Sequence, residues 1–113
     1  MSISYYGHSA LDIAGTQRRI DYLRTARQDW FSGPLELGDA RPLGPFGAEI
    51  ARDFGIEAQC LFALHVRDKA RIATVHPALD YIYEVFGTAH LVVSWEMDEL
   101  RPPIAPSAGL ALD

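Results

Sequence analysis

The stretch QCLFALHV at residues 59–66 constrains the fold more than any other part of the chain. It is the most apolar run, and its apolar residues occupy both odd and even positions. A strand with one face in water alternates apolar and polar residues, so this pattern is typical of a strand that is covered on both faces. Turn signals flank the run, with Phe54-Gly55 before it and Arg67-Asp68-Lys69 after it. We interpret residues 59–66 as the central strand of a sheet with helices on its flanks.

Hydrophobic periodicity predicts three helices, and β-favouring runs predict three further strands. Apolar residues recur at helical spacing in three segments, at about residues 12–30, 46–54 and 75–86. Short β-favouring runs occupy residues 3–6, 35–37 and 90–95. The order of the last elements, strand, helix and strand, predicts a parallel unit. The expected fold is α/β, a single small domain with a mixed or mostly parallel sheet of about four strands flanked by three helices.

The length of 113 residues is that of one domain, which we expect to comprise residues 1–100. The segment 101–113 is rich in proline, so we expect a flexible C-terminal tail. The sequence has no apolar run long enough to span a bilayer, and its N-terminus lacks the pattern of a secretory signal. These features predict a soluble cytoplasmic protein that does not interact with a membrane.

The charge of the chain indicates what kind of partner it can bind. The formal net charge is −5, and the sequence pI is about 5.2. Direct binding to nucleic acid draws on clustered Lys and Arg, so this balance argues against it. A basic protein is the better match as a partner.

No group of residues in the sequence has the spacing of a catalytic or metal site. The histidines, His8, His65, His76 and His90, do not form a metal-binding motif. Cys60 lies inside the apolar run, which favours a small core residue. We therefore predict no metal, no cofactor and no catalytic residue, although a triad assembled from distant residues stays open.

The predicted sheet places several carboxylates at one edge. The carboxyl ends of parallel strands meet at the same edge, where open α/β folds bind their ligands. The residues expected there are Glu36, Asp39, Asp68, Trp95, Glu96, Asp98 and Glu99. The carboxylates form either a solvated rim or a docking surface for a basic partner. Trp95 is either a core residue or an aromatic anchor of that surface.

Several short blocks of sequence, spread over most of residues 3–99, carry a family resemblance. They are YLR at 22–24, DWFSG at 29–33, AEIARDFGIEA at 48–58, LFALHVRDK at 61–69, VFG at 85–87 and LVV at 91–93. In these blocks the chain resembles immunity proteins of bacterial contact-dependent growth inhibition (CDI) systems, particularly a type that neutralises a tRNA-cleaving toxin. The resemblance implies a small cytoplasmic α/β protein that binds one cognate toxin domain and blocks its active site, with no chemistry of its own. The proline-rich tail after Leu100 departs from the family pattern.

The leading hypothesis is therefore an immunity protein that binds a basic toxin domain through the predicted acidic edge. A nuclease active site must hold phosphates, so an acidic protein surface would be attracted to it. The alternative is a small-ligand-binding or regulatory α/β module at the same edge, and a third hypothesis is an enzyme of unrecognised type. An inhibitor would protect cells from its toxin, whereas a metabolite would raise the thermal stability of a ligand module.

Overall fold

A six-stranded sheet, in which every described strand pair is antiparallel, forms the framework of the protein. The computed structural model describes residues 3–31, 33–67, 73–95, 99–103 and 105–110, with the backbone alone for Phe46 and Glu99. In chain order the elements are β1 (Ile3–Ser9), α1 (Ile13–Ala26), α2 (Gln28–Phe31), β2 (Leu35–Leu37), β3 (Arg41–Pro42), α3 (Pro45–Asp53), β4 (Cys60–Val66), α4 (Val75–Phe86), β5 (Leu91–Trp95) and β6 (Glu99–Arg101). The strand order is β2-β4-β1-β5-β6, and β3 pairs with β4 beside β2.

The predicted sheet, mixed or mostly parallel with about four strands and three helices, is wrong. The N-terminal strand β1 pairs antiparallel with both β4 and β5. The two strands of the strand-helix-strand unit therefore run in the same direction, but β1 lies between them. Tyr6, for example, is opposite Ala63 on one side and Ser94 on the other. Local periodicity identifies a strand but does not encode its partner, which is why the insertion of β1 was not predictable from the pattern.

The additional elements are short. The two-residue strand β3 lies in a Gly- and Pro-rich segment, and β6 precedes the prolines at 102 and 103. The long first helix divides into α1 and α2 because Arg27 leaves helical geometry, with φ −133° and ψ 63°. This turn directs Phe31 into the core, where it is buried.

One face of the sheet, the first face, carries the main core. Because side chains alternate along a strand, Phe62, Leu64 and Val66 of β4 share this face. They pack with residues of β2, β5 and the helices, namely Leu35, Leu37, Leu91, Val93, Ile20, Leu23, Phe31, Val75, Ala78, Leu79, Ile82, Tyr83, Val85 and Phe86. Within this core the rings of Phe62 and Phe86 stack, with their centroids 5.2 Å apart and their planes at 18°.

The opposite face, the second face, has a more polar composition. It carries Ser4, Tyr6 and His8 of β1 together with His65 of β4 and Ser94 of β5, as the strand registers require. His8 and Ser94 are fully buried there, and neither the His8 ring nitrogens nor the Ser94 hydroxyl has a hydrogen-bond partner among the described residues. Burial without a partner disfavours the charged imidazolium, so it lowers the pKa of His8.

Gly7 is required by the packing of β1 against the core. A Cβ atom at this position would lie 2.3 Å from Cζ of Phe62. The Phe62 ring is itself buried and stacked on Phe86, so it cannot move aside freely.

We expect Gly7→Ala to lower the free energy of unfolding by about 1–3 kcal/mol, because the added methyl overpacks a filled core. Urea denaturation measures this change. Gly33→Ala is the matched control, since a Cβ there would lie no closer than 4.0 Å to its nearest neighbour. Equal midpoints for the two variants would contradict the packing argument.

We expect His8 to make stability depend on pH. Its folded pKa lies below the ordinary value of about 6.5, so between these two values the unfolded chain binds the additional proton. Stability should therefore be complete above about pH 7 and should fall as the pH drops through 6.5 toward the folded pKa, with a slope of at most about 1.4 kcal/mol per pH unit.

The variant His8→Leu removes both the titration and the unpartnered nitrogens, so its unfolding free energy should vary less between pH 7.5 and 5. Ile13→Ala, a change of an exposed side chain that does not titrate, should keep the slope of the natural protein. Denaturant titrations over this pH range distinguish the variants, and an unchanged slope in His8→Leu would refute the assignment.

Candidate functional site

The sheet edge at which β4 and β5 end is the candidate functional site. Ile3 is opposite Val66, and Tyr5 is opposite Trp95. Since β4 and β5 are each antiparallel to β1, their carboxyl ends emerge at the same edge, with one strand between them and about 10 Å apart. We call this edge, marked by Ile3, Val66 and Trp95, the carboxyl edge. The antiparallel sheet thus brings together the two strand ends that the sequence predicted as neighbours.

Most of the predicted site residues follow the last residue of β4 or β5 in the sequence within a few positions. Asp68, Glu96 and Asp98 lie outside the described residues; Asp68 follows Val66 by two positions, and Glu96 follows Trp95 directly. Glu99 is opposite Trp95 in β6, where only its backbone is described. Their role in binding stays a prediction.

Trp95 is an exposed aromatic side chain at this edge. As the last residue of β5 it is 42% exposed, with Tyr5 opposite it in β1 and Glu99 opposite it in β6. A tryptophan of the core would be almost fully covered, so the exposed position favours the anchor interpretation over the core interpretation.

Glu36 lies near the same edge but on the other face of the sheet. It is opposite His65, and its carboxylate forms an ion pair with Arg67. The imidazole Nδ1 of His65 lies 2.7 Å from the Ser4 hydroxyl, which fixes the ring on this second face. Trp95 shares the first face with Tyr5, and three strand spacings, or about 14 Å, separate its strand from that of Glu36. A single small molecule could not contact both residues.

A shallow groove of about 400 Å³ runs along the second face beside Glu36. Its lining residues are Glu36, Gly38, Asp39, Arg41, Ala63 and His65. The lining carries carboxylates and an arginine together. The groove is open and shallow, whereas a typical small-molecule site is enclosed.

Asp39 lies away from the carboxyl edge and has a structural role. Its carboxylate accepts hydrogen bonds from Arg24 at 2.8 Å and from Gln17 at 3.1 Å. These bonds, the one from Arg24 foremost, lower the pKa of Asp39. Arg24 also donates from Nε and Nη2 to the carbonyl oxygen of Leu37, at 3.1 and 2.6 Å. Asp39 therefore orients Arg24, which caps the outer side of the edge strand β2.

No local signal in the sequence predicts that Arg24 caps β2. The arginines of α1 have the spacing of a solvated helix face, and this spacing does not distinguish Arg24 from the others. Gln17 and Arg24 are seven positions apart, or two helical turns, so both face β2, where Gln17 Oε1 accepts from the amide of Ala40 at 2.8 Å. Only the packing of α1 beside β2 identifies this role.

Among the described residues, no metal cluster is found and Cys60 is buried. Within them, no group of three or more His, Cys, Asp or Glu side chains is placed to hold a metal ion. The prediction that Cys60 is a core residue is confirmed: it is buried, and its thiol lies 3.0 Å from the Thr16 hydroxyl, to which it donates. No helix in the described part of the chain is long and apolar enough to cross a membrane.

Comparisons with known proteins agree with the resemblance found in the sequence. Residues 1–99 match the family described as CDI System Immunity Component. The fold is similar to that of a chain in the CdiA-CT/CdiI toxin and immunity complex from Burkholderia pseudomallei, with a TM-score of 0.79, 17% sequence identity, and coverage of 90% of this chain and 99% of that chain. At that identity the similarity establishes a common fold. A comparison with curated proteins gives no match.

The family match confirms the expectation of an immunity protein, whereas the tRNA-cleaving type of toxin stays a prediction. The match extends over 99 of the 113 residues, as the range 1–99 shows. The chain belongs to the immunity components of contact-dependent growth inhibition systems.

Proposed function

We propose that this immunity protein binds the toxin domain of its own CDI system, blocks the active site of that toxin, and docks through the carboxyl edge. Membership of the immunity family carries the proposal. The related fold comes from a toxin and immunity complex, which supports a protein toxin as the partner. The protein acts as a stoichiometric inhibitor in the cytoplasm and has no catalytic step of its own.

The acidic character of the chain supports a nuclease as the toxin, and the sequence resemblance adds the tRNA-cleaving type to the proposal. A nuclease that holds a polyanionic substrate needs a basic active site. The net charge of this chain is −5, and Glu96, Asp98 and Glu99 lie within four consecutive residues after Trp95. A carboxylate-rich surface competes with phosphate for the same electrostatic field and accelerates the encounter of the two proteins.

The geometry of the edge favours a protein partner over a small ligand. Trp95 and Glu36 lie on opposite faces, so a partner that contacts both must wrap the rim of the sheet. A typical protein interface covers about 800 Å² on each partner, enough to include both residues. Direct binding to nucleic acid or to a membrane has no part in this proposal.

The described carboxylates are expected to contribute unequally. Glu36 is paired with Arg67 and Asp39 with Arg24, so neighbouring arginines already compensate their charges. The proposal therefore assigns the main electrostatic contribution to the acidic residues that follow Trp95, together with Asp68. Trp95 supplies the apolar contact at the centre of this surface.

The direct test is to measure binding to an inactive form of the toxin domain encoded beside the immunity gene. The natural protein should form a complex and protect cells that express the active toxin. Trp95→Ala should weaken the complex by about 30-fold or more, because loss of a central aromatic anchor costs at least about 2 kcal/mol. Calorimetric titration measures the affinity.

Ile13→Ala is the matched control for Trp95→Ala, since Ile13 is similarly exposed, at 43%, but lies at the start of α1. Its affinity should equal that of the natural protein. If the natural protein neither binds nor protects, the proposed function is wrong. If it binds but Trp95→Ala binds equally well, the docking surface has been placed on the wrong part of the molecule.

Reversing both Glu96 and Asp98 to lysine should slow association with the toxin domain by about tenfold or more and should reduce its dependence on salt, because the steering field is weakened. Stopped-flow measurements at several salt concentrations determine both quantities. The control reverses the exposed Asp53 and Glu57, which changes the net charge equally at another place. Equal effects in the two double variants would show that total charge, and not the carboxyl edge, guides association.

A further inference from the structure

We propose that residues 99–103 and 105–110 act as a strap that holds Trp95 in its docking position, and that Arg101 is the positioning residue of this strap. The inference rests on the proposed function of the carboxyl edge. The family match ends at residue 99, where the strap begins, so the match assigns no role to the segment. The described residues of the strap are 99–103 and 105–110.

The strap begins as the strand that flanks Trp95. Glu99 is opposite Trp95, Leu100 is opposite Ser94, and Arg101 is opposite Val93. Because β6 is the last strand in the sheet order, it is the edge strand and covers the side of β5 that faces away from β1. Trp95 is thus supported on one side by β1 and on the other side by β6.

Arg101 ties this strand to helix α4. Its Nη2 atom lies 3.0 Å from the carboxylate of Asp80 and 3.5 Å from Nδ1 of His76. The side chains of Arg101 and Asp80 are 16% and 29% exposed, whereas those of the other described ion pairs are at least 34% exposed. Water screens the Arg101–Asp80 pair less, so it restrains the strand more than the surface pairs restrain their elements.

Tyr83 of α4 makes a second connection between the helix and β6 at Arg101. Its hydroxyl donates to the carbonyl oxygen of Arg101 and accepts from the amide of Val93 at 3.0 Å. The phenol therefore bridges α4, β5 and β6 at the level of the Arg101–Val93 pair. Burial raises the pKa of Tyr83, so the hydroxyl keeps its proton and remains a donor near neutral pH.

The end of the strap is anchored at the C-terminus of α4. The Thr88 amide donates to the Ser107 carbonyl at 2.9 Å, and the Ser107 amide donates to the Thr88 hydroxyl at 3.1 Å. The Ser107 hydroxyl donates to the Glu84 carbonyl at 3.0 Å, and the Leu110 amide donates to the Val85 carbonyl at 3.0 Å. The bonds to Glu84 and Val85 use carbonyl groups of the last helical turn, which have no partner within a helix.

Two glycines make this anchor a close backbone contact. Gly87 and Gly109 both have a positive φ, of 90° and 87°. A Cβ at Gly87 would lie 2.8 Å from the Ala108 carbonyl oxygen, and a Cβ at Gly109 would lie 2.8 Å from that of Phe86. Each glycine therefore leaves room for the backbone of the opposite segment, and a side chain at either position would separate the two segments.

The two anchors act on Trp95 through β6. Without the Arg101 side chain at one end and Ser107 at the other, β6 would be held only by its short ladder and the Tyr83 hydrogen bond, and Trp95 would lose a fixed neighbour. The proline content of residues 101–113 predicts a flexible tail, and that expectation stays a prediction. The strap proposal requires only that the anchored points, at residues 101, 107 and 110, stay in place when the toxin binds.

The test uses the full chain with Trp30→Phe, so that Trp95 is the remaining tryptophan and its fluorescence reports on its own surroundings. Arg101→Ala should weaken binding to the inactive toxin domain by at least about fivefold, the order of magnitude of one such coupling. It should also increase acrylamide quenching of Trp95. Ser107→Ala should act in the same direction. Arg52→Ala, which removes an exposed arginine of α3, is the control and should change neither quantity.

The charge-swapped pair Asp80→Arg with Arg101→Asp separates positioning from a general loss of stability. It should restore most of the affinity and of the protection against quenching that either single change removes, and it provides the test if Arg101→Ala does not fold. If the natural protein fails to bind, the proposed function fails. If the natural protein binds and Trp95→Ala weakens binding, but the Arg101, Asp80 and Ser107 variants match the natural protein in both measurements, the strap inference is overturned.

Discussion

Hydrogen bonding of β1 to both β4 and β5 is the interaction on which the remainder of the structure depends. The first strand of the chain fills the centre of the sheet and pairs with residues more than fifty positions away on each side. These contacts close long loops, which costs chain entropy and slows folding. The core must therefore form around a strand that arrives from the far end of the sequence, and Gly7 leaves the space in which the Phe62 ring packs over that strand.

The same pairing explains why β4 and β5 end at the same edge although the predicted topology is wrong. The sequence pattern predicted that β4 and β5 run in the same direction, and they do. Placing one antiparallel strand between two others preserves their common direction, so both carboxyl ends stay at one edge. The strands β4 and β5, expected as neighbours, are separated by β1, so the edge between their carboxyl ends is one strand wider than predicted.

Local signals in the sequence were reliable where local chemistry decides the structure. The apolar run at 59–66 contains β4, and Gly87 ends α4 with the positive φ that favours glycine. Elements that depend on distant partners were not predictable in this way. Pro102 and Pro103 do not prevent a strand at 99–101 but follow it directly, and the pairing of β6 with β5 depends on support from Asp80 and Tyr83. Likewise Asp39, expected at the docking edge, is held by Arg24 of a helix that precedes it in the chain.

The arginine cap on β2 also affects how the protein behaves at high concentration. An open edge strand presents carbonyl and amide groups that can pair with another copy of the chain and start sheet-to-sheet aggregation. Arg24 donates a hydrogen bond to the Leu37 carbonyl, and Gln17 accepts one from the Ala40 amide. The open side of β2 and of the segment after it therefore offers fewer unpaired backbone groups. The opposite edge ends in a three-residue strand followed by two prolines, which cannot extend a ladder. Both ends of the sheet therefore offer little opportunity for a second copy of the chain to extend it.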